Sequence, residues 1–343
     1  MKVILVIILI IYAPDSLHIH LSLMFSAMYS HGCTPSGFLN TMLCPIPKNK
    51  RKSLADSENY RGIALSSVLA KVLDWIILTK YRQELDTSTV QFGFKAESST
   101  TQCTFVVSEC VNYYIKHGSN VHLVFLDATK AFDRVHYVKL FRLLIKRGLC
   151  PIVSRLLLNL YTRQNVRVKW EKTLSPVFSS TNGVKQGGVL SPILFSIYID
   201  ELLDRLRQSG YGCHIGNIFL GAVAYADDIT LLAPTTTAIS RLLTICSTFA
   251  REYNVLFNPA KSKHLSFDQC TNENTRISFE NSEIESVQWF KHLGHIVGPG
   301  VAKVNMQEYI RAFNVDVNLL MAQFKHIYST TRYQLFKTYC MPL

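Results

Sequence analysis

Two adjacent aspartates in the middle of an apolar stretch constrain this chain more than any other feature of its sequence. The stretch reads FLGAVAYADDITLLAP, from Phe219 to Pro234, and the acids are Asp227 and Asp228. Its pattern predicts two short strands joined at the aspartates. At the tip of such a hairpin both carboxylates reach the same side of the sheet edge, where they repel each other and lose hydration. A hard divalent cation would neutralise them; an exposed turn with two hydrated acids is the alternative.

A third carboxylate stands at the end of another apolar stretch. The segment VHLVFLD, from Val121 to Asp127, is predicted to be a buried strand, so Asp127 also lies where a core strand ends. A strand ending in Asp beside a hairpin carrying Asp-Asp supplies a site for two metal ions about 3.5–4 Å apart. Two such ions activate an attacking 3′-hydroxyl and stabilise a leaving pyrophosphate. The three acids therefore predict in-line phosphoryl transfer.

Net charge and cysteine usage narrow the choice of partner and compartment. A formal net charge of +12 favours a polyanionic partner, although a basic enzyme without one is the alternative. Between Lys139 and Lys172, nine lysines and arginines accompany a single acid, Glu171, which favours a nucleic-acid surface over a merely solvated face. The nine cysteines form no C-x-x-C pair, which argues against zinc-ribbon and zinc-knuckle sites and fits reduced intracellular thiols.

The N-terminal segment indicates a different compartment. An unbroken apolar run extends from Val3 to Ala13, long enough for a signal-peptide core but shorter than the roughly 20 residues of a membrane span. No clear small-x-small cleavage site follows. We interpret residues 1–38 as an unassigned apolar leader. A secreted or membrane-attached protein is thus an alternative, whereas the rest of the chain favours an intracellular protein of nucleus or cytoplasm without a stable membrane partner.

Further strands and helices are predicted from Asn40 onward. Helices are expected near 135–147, near 236–252 and after the glycine-rich segment NGVKQGG. The segment WFKHLGHIVG predicts a strand pair around Gly294, and the tail from Met306 is predicted to be helical.

In their order along the chain, several segments resemble the motifs of reverse transcriptases. The palm motifs are matched by FLDATKAFDRVHY, NGVKQGGVLSPILFSIYID and AYADDITLLA, and the flanking motifs by IPKNKRKSLADSENYRGIALSSVLAKVLD, NVLFNPAKSK and FKHLGHIV. The motifs are most similar to those of non-LTR (LINE-type) retrotransposon enzymes, and the resemblance covers about Asn40 to Leu343. It implies an RNA-directed DNA polymerase that uses Mg²⁺, or Mn²⁺ in its place, with an RNA template, a DNA primer and dNTPs as partners.

The resemblance also implies an α+β right-hand polymerase fold. The expected subdomains are fingers over 39–118, a palm with an antiparallel sheet over 119–298, and a partial helical thumb over 299–343, with fingers elements between 148 and 182. Family members of this type carry an endonuclease upstream and continue through the thumb. A catalytically silent, truncated remnant that only binds nucleic acid is therefore an alternative. A viral RNA-directed RNA polymerase is another, and Phe132 disfavours it.

Roles for the acidic residues follow from the resemblance. By the family pattern, Asp127 and Asp227 bind both metal ions, with Asp228 beside them. The main-chain carbonyl of Ala128 would complete the shell of one metal. Asp133, in the same motif, is expected to be structural, as a cap for the following helix.

Other residues match family positions that contact the nucleotide. Phe132 matches the aromatic steric gate that excludes a 2′-hydroxyl, which makes DNA the expected product; plain core packing is its alternative role. Gln186 and Gly187 resemble the motif that packs against the incoming nucleotide and template base. Lys48 and Arg61 match the fingers residues that neutralise the triphosphate, although the segment KNKRK around Lys48 also fits a solvated loop.

Two downstream motifs complete the expected site. Lys261 matches the family position proposed to protonate pyrophosphate, and Lys263 is near enough in sequence to compete for that role. Trp289 to Gly294 resembles the primer grip, where the apolar side chains are expected to pack.

Overall fold

Helices account for much of the computed structural model, which describes residues 12–267, 276–280, 282–299 and 302–341. The α-helices of these residues are α1 (Asp15–His31), α2 (Val68–Lys80), α3 (Thr100–Lys116), α4 (Tyr137–Lys146), α5 (Pro151–Thr162), α6 (Ser191–Gln208), α7 (Thr236–Tyr253), α8 (Ala302–Gln323) and α9 (Ser329–Tyr339). The helices predicted near 135–147 and 236–252, after the glycine-rich segment and in the tail are thereby confirmed. None of the helices in these ranges is both long and apolar enough to cross a bilayer.

Strands of the described residues alternate with these helices. They are β1 (Asn40–Pro47), β2 (Tyr60–Leu65), β3 (Val121–Leu126), β4 (Asn165–Trp170), β5 (Thr173–Leu174), β6 (His214–Ile215), β7 (Ile218–Phe219), β8 (Ala222–Tyr225), β9 (Asp228–Ala233), β10 (Lys263–Phe267), β11 (Ile277–Phe279), β12 (Ser282–Val287), β13 (Phe290–His292) and β14 (His295–Val297). The predicted hairpin at the paired aspartates is β8–β9, and the predicted strand pair around Gly294 is β13–β14.

The larger sheet has six strands in the order β11-β12-β10-β3-β9-β8. It is antiparallel throughout, as expected, apart from the parallel pair β10–β12. Strand β3 lies near its centre and all six of its residues are buried. Its side chains alternate between two apolar clusters: Val124 and Leu126 pack with residues of α6 and α7, whereas Leu123 and Phe125 pack with residues of α3. Helices on both faces explain why all six residues of β3 are buried and five of them are apolar.

The smaller sheet has four strands in the order β2-β1-β4-β5. Strands β1 and β2 pair antiparallel, and β1 pairs in parallel with β4, with Asn40 opposite Asn165. This sheet thus combines two strands from residues 40–65 with two strands from residues 165–174.

Part of the segment that the sequence left as an apolar leader belongs to the packed structure. Residues 1–11 lie outside the described residues, but α1 packs against α5 and buries Phe25 and Met28. Two side chains of α5 fix the end of α1: Arg155 donates to the carbonyl of His31 at 2.6 Å, and Asn159 donates to that of Gly32 at 2.8 Å. Within residues 15–31, two apolar side chains are thus buried where this helix contacts a helix that is distant in sequence.

Candidate active site

The paired aspartates lie at the tip of the β8–β9 hairpin. Tyr225 pairs with Asp228, so only Ala226 and Asp227 form the turn. Ala226 has a φ of 59°, a left-handed conformation that costs a non-glycine residue roughly 1–2 kcal/mol. The turn therefore has to be held by its surroundings, and it places two carboxylates at the edge of a buried sheet.

Asp127 follows β3, the neighbour of β9, and is held through its own backbone. Its carbonyl accepts a hydrogen bond from the amide of Asn258 at 2.8 Å, and its amide donates to the hydroxyl of Ser262 at 3.3 Å. Ala128 is bridged to Phe257. The backbone bonds of this bridge use the Asp127 carbonyl and the Thr129 amide, so they leave the carbonyl of Ala128 unused.

Electrostatic repulsion is concentrated at this edge. Loss of hydration, together with the charges of Asp227 and Asp127, raises the pKa of Asp228 to about 6. The pKa of Asp227 is also raised, mainly by loss of hydration and further by the charge of Asp127, although the guanidinium of Arg61 opposes this. The ammonium of Lys261 lies 3.7 Å from a carboxylate oxygen of Asp127. The three predicted acids are thus close enough to interact, and their repulsion is only partly balanced.

The donor set fits a hard divalent cation. Carboxylate and carbonyl oxygens are the ligands that Mg²⁺ prefers, and a cation would offset both the loss of hydration and the repulsion that raise the two pKa values. Across residues 12–267, 276–280, 282–299 and 302–341, no three acidic, histidine or cysteine side chains are already arranged around a common point as a metal cage. Asp127, Asp227, Asp228 and the carbonyl of Ala128 are the groups that could hold a metal at this edge.

The raised pKa of Asp228 gives a testable dependence of stability on pH. Because the folded pKa lies above the unfolded one, protonation favours the folded state, and this contribution is lost as pH rises from about 4 to above 6. Without metal, Asp228→Asn should therefore raise Tm at pH 7.5 by about 1–3 °C, a modest effect since the side chain is exposed. This advantage should shrink towards pH 4.5.

The measurement is the difference in Tm between Asp228→Asn and the parent across this pH range. Groups common to both proteins cancel in the difference. A constant or growing advantage of the variant at low pH would contradict the assignment of the raised pKa to Asp228.

Two cationic residues of the predicted nucleotide site lie on or near the four-stranded sheet. Arg61, on β2, is exposed and close enough to Asp227 to lower its pKa. Lys48 follows β1, and its ammonium donates to the carbonyl of Glu58 at 2.8 Å. Its charge also lowers the pKa of Asp133, although loss of hydration dominates and leaves that pKa raised. The structure thus brings Arg61 to the aspartates, whereas Lys48 points to a neighbouring loop.

Phe132 is held between two other phenylalanines. Its ring stacks on Phe195 of α6 with centroids 4.5 Å apart and meets the edge of Phe94 at 6.2 Å. The side chain is only partly buried. Core packing and the presentation of a ring surface to the site are therefore both compatible with its position.

The loop before α6 docks on the edge of β2. The carbonyl of Gln186 accepts from the amide of Ala64 at 2.7 Å. Gly187 has a φ of 104°, and a Cβ built there would lie 3.1 Å from the carbonyl oxygen of Ala64. Only glycine fits this backbone, so the sequence motif has a structural cause.

The two lysines that the sequence left in competition are separated by the structure. Lys261 faces Asp127, whereas Lys263 on β10 is ion-paired with Glu285 of β12. In the segment that resembles a primer grip, Phe290 and His292 pack against Phe125 with ring centroids 4.8 and 4.9 Å away. Trp289, which was also expected to pack, is instead 60% exposed.

The expectation that Asp133 caps a helix was wrong. Asp133 lies inside a short 3-10 helix, Ala131–Arg134, and the N-cap of α4 is His136. Asp133 packs instead against the loop that precedes Gln186. The contact is close: a Cβ built on Gly183 of that loop would lie 2.9 Å from the Cα of Asp133.

The basic run between Lys139 and Lys172 is divided among α4, α5 and β4. Arg147 is tied to Asp200, Lys146 to Glu201 and Arg155 to α1. These three side chains have structural partners, so the run is not one uniform surface.

Sequence reasoning missed two groups that support the site. Asp74 of α2 accepts from the amides of Val189 and Leu190, and the ammonium of Lys185 lies close to it; burial nevertheless raises the pKa of Asp74 to about 6. Through these two amides, half-buried Asp74 holds the end of the loop that carries Gln186. Asp74 could have been noticed as an acid within the apolar helix VLAKVLDWII. The second group is Gln91, whose side-chain oxygen accepts a hydrogen bond from the amide of Ala226 in the hairpin turn. Nothing in the sequence near Gln91 indicated this contact.

Comparisons with known proteins show the family of this chain. Residues 46–297 match the sequence family described as reverse transcriptase (RNA-dependent DNA polymerase). The chain is similar to the retrovirus-related Pol polyprotein from retrotransposable element R2 of Nasonia vitripennis, with 25% identity over 82% of this chain and 29% of that protein. It is also similar to the RNA-directed DNA polymerase from mobile element jockey of Drosophila funebris, with 24% identity over 96% and 37%. It spans well under half of these relatives.

Solved structures show the same fold at low sequence identity. Apo telomerase of Candida tropicalis, truncated from its C-terminal domain, superposes with a TM-score of 0.52 at 14% identity over 77% of this chain and 56% of that one. Telomerase of Candida albicans, in complex with a fragment of telomeric RNA, also gives 0.52, at 13% identity over 92% and 58%.

Proposed function

Because the chain belongs to the reverse transcriptase (RNA-dependent DNA polymerase) family, we propose that it synthesises DNA on an RNA template by adding dNTPs to the 3′-hydroxyl of a DNA primer. The observation that carries this proposal is the meeting of Asp127 with the Asp227–Asp228 hairpin at one sheet edge, where loss of hydration and, after it, repulsion raise the pKa of two of the three acids. The fold is that of a right-hand polymerase.

Divalent-metal dependence is general in this family, and we propose Mg²⁺ as the resident ion, with Mn²⁺ able to use the same oxygens. Asp127 and Asp227 would hold both ions, with Asp228 beside them and the carbonyl of Ala128 completing one shell. When bound, the ions supply charge neutralisation at the attacking and leaving oxygens. The chain itself holds the carboxylates on rigid strands, so little reorganisation is needed.

The residues around the aspartates suit the nucleotide. Arg61 and Lys48 would neutralise the triphosphate, and Lys261, beside Asp127, would donate a proton to the leaving pyrophosphate. Phe132 would exclude a ribose 2′-hydroxyl. Gln186 and Gly187 would pack against the incoming nucleotide and the template base, a role supported by the docking of their loop on β2.

The subdomains proposed for this fold follow the two sheets. Fingers over 39–118 take up β1 and β2, and the sheet is completed by β4 and β5 from within 148–182. The palm over 119–298 contains the six-stranded sheet. The helices α8 and α9, within 299–343, would form a partial thumb against the primer–template.

Primer extension by the purified chain tests the proposal. We expect a labelled DNA primer annealed to RNA to be extended with dNTPs and Mg²⁺, and not with NTPs or with excess chelator. Binding assays on the same primer–template provide the comparison. A folded protein that binds primer–template yet never extends it, with either Mg²⁺ or Mn²⁺, would overturn the proposal and favour a silent nucleic-acid-binding remnant.

A further inference from the structure

A short segment runs along the edge strand of the hairpin that carries the paired aspartates. We define the strap as residues 86–95, DTSTVQFGFK. Its backbone follows β8: the amide of Phe92 donates to the carbonyl of Ala224 at 2.8 Å, and the amide of Ala224 donates to the carbonyl of Val90 at 2.9 Å. The strap therefore adds a short parallel bridge to the free edge of the six-stranded sheet.

Gln91 of the strap reaches the turn itself. Its side-chain oxygen accepts two backbone hydrogen bonds, from Gly93 at 2.8 Å and from Ala226 at 3.0 Å. Both partners are donors, so the orientation of the amide is fixed with its oxygen towards the turn. The residue is 1% exposed, and its amide nitrogen is buried without a hydrogen-bond partner. Burying an unpaired donor costs free energy and offsets part of what these two hydrogen bonds contribute to stability.

The contact between Gly93 and the turn is equally close. A Cβ built on Gly93 would lie 2.2 Å from the backbone nitrogen of Ala226. Ala226 is the residue in the left-handed conformation. The strap thus supports, by one hydrogen bond and one close approach, the strained position that sets the direction of Asp227 and Asp228.

Both sides of the strap are anchored to α6. The carboxylate of Asp200 accepts from the amide of Ser88 at 3.0 Å, and Arg147 binds the same carboxylate. The hydroxyl of Ser196 donates to the carbonyl of Gly93 at 3.3 Å. Because α6 begins directly after the loop with Gln186, the strap links that loop's helix to the aspartate hairpin.

We propose that Gln91 is a positioning residue: its side-chain oxygen holds the Ala226 turn so that Asp227 and Asp228 face Asp127 in the geometry that binds divalent cations. This inference rests on the proposed function, because it assigns Gln91 to the metal site of the polymerase. Gln91 itself touches neither metal nor substrate. Its effect passes through the backbone of Ala226.

The test uses Gln91→Met, which keeps the side-chain length and removes the acceptor. In the metal-free protein, hydrogen exchange at the Ala226 amide should accelerate about tenfold, since a single buried hydrogen bond is lost. In primer extension, the Mg²⁺ concentration for half-maximal rate should rise about tenfold, while KM for the dNTP changes little. Gln164→Met is the matched control, because Gln164 is also buried and bonds a backbone carbonyl, that of Leu160.

A second pair of variants guards against a folding defect in Gln91→Met. Gly93→Ala should produce the same rise in Mg²⁺ requirement, because its methyl group displaces Ala226. Gly37→Ala should not, because a Cβ there meets nothing within 4 Å.

The outcomes separate this inference from the proposed function. If Gln91→Met and Gly93→Ala change exchange at Ala226 and the Mg²⁺ requirement no more than their controls do, the positioning role is wrong. If the parent never extends a primer, the proposed function fails. Even in that case, the positioning role would be supported if Gln91→Met accelerates hydrogen exchange at the Ala226 amide and weakens Mn²⁺ binding measured by calorimetry.

Discussion

Replacing Asp127 or Asp227 by asparagine should lower the rate of primer extension by at least about 10³-fold. Each change removes a carboxylate that the proposed site shares between two ions, so the attacking and leaving oxygens lose charge stabilisation together. For Asp227→Asn, the stability of the metal-free protein should increase although the extension rate falls. Its pKa is raised, so the ionised side chain is disfavoured in the folded state, and the neutral amide removes that penalty.

Single-turnover extension rates and Tm values measured on the same preparations check both expectations. Asp204→Asn is the matched control. Its pKa is raised too, but the charges around it are Asp200, Arg207, Arg147 and Glu201, which lie outside the proposed site. If Asp227→Asn retains a tenth or more of the parental extension rate, the metal-ligand role of Asp227 is contradicted.

The second large effect concerns the choice between deoxyribose and ribose. Phe132→Val should reduce the preference for a dNTP over the matching NTP by about 100-fold, close to the most that a purely steric apolar contact contributes. The ring of Phe132 stacks on Phe195 and is only partly buried, and valine in its place lacks the ring atoms that would meet a 2′-hydroxyl. The ratio of the two kcat/KM values is the measurement, since any loss of folded protein cancels in it.

Phe94→Val provides the comparison for this prediction. Phe94 touches the edge of Phe132, so its loss loosens the packing without removing the ring. Equal loss of selectivity in both variants would contradict the steric gate and indicate that Phe132 acts only through packing.

The acids and their strands could be predicted from the sequence because each signal is local. Asp127 ends an apolar run, and Asp227 and Asp228 interrupt one, so the pattern alone predicts strands that end or turn at carboxylates. Gly187 could be singled out for the same reason, since the glycine-rich motif and the positive φ that requires glycine lie in the same loop.

The supporting contacts could not be predicted, because they join residues far apart in the chain. The bond from Ala226 to Gln91 spans 135 residues, and nothing in VQFGFK marks the glutamine as an acceptor for a distant turn. Asp74 is equally hidden, because its partners Val189 and Leu190 follow more than 100 residues later. The packing of α1 on α5 escaped prediction for the same reason.

The parallel pairing of β1 with β4 constrains how this protein can be made. On the ribosome, β1 emerges long before its partner, and β2, β3 and the four helices α2 to α5 are synthesised in between. The smaller sheet therefore has to wait for chain that also builds the larger one, and its closure bears the entropy of a long loop. The smaller sheet can close once β4 and β5 are made, before β8 to β12 of the larger sheet are synthesised, and a chain that ended before β4 would leave β1 with an unsatisfied edge.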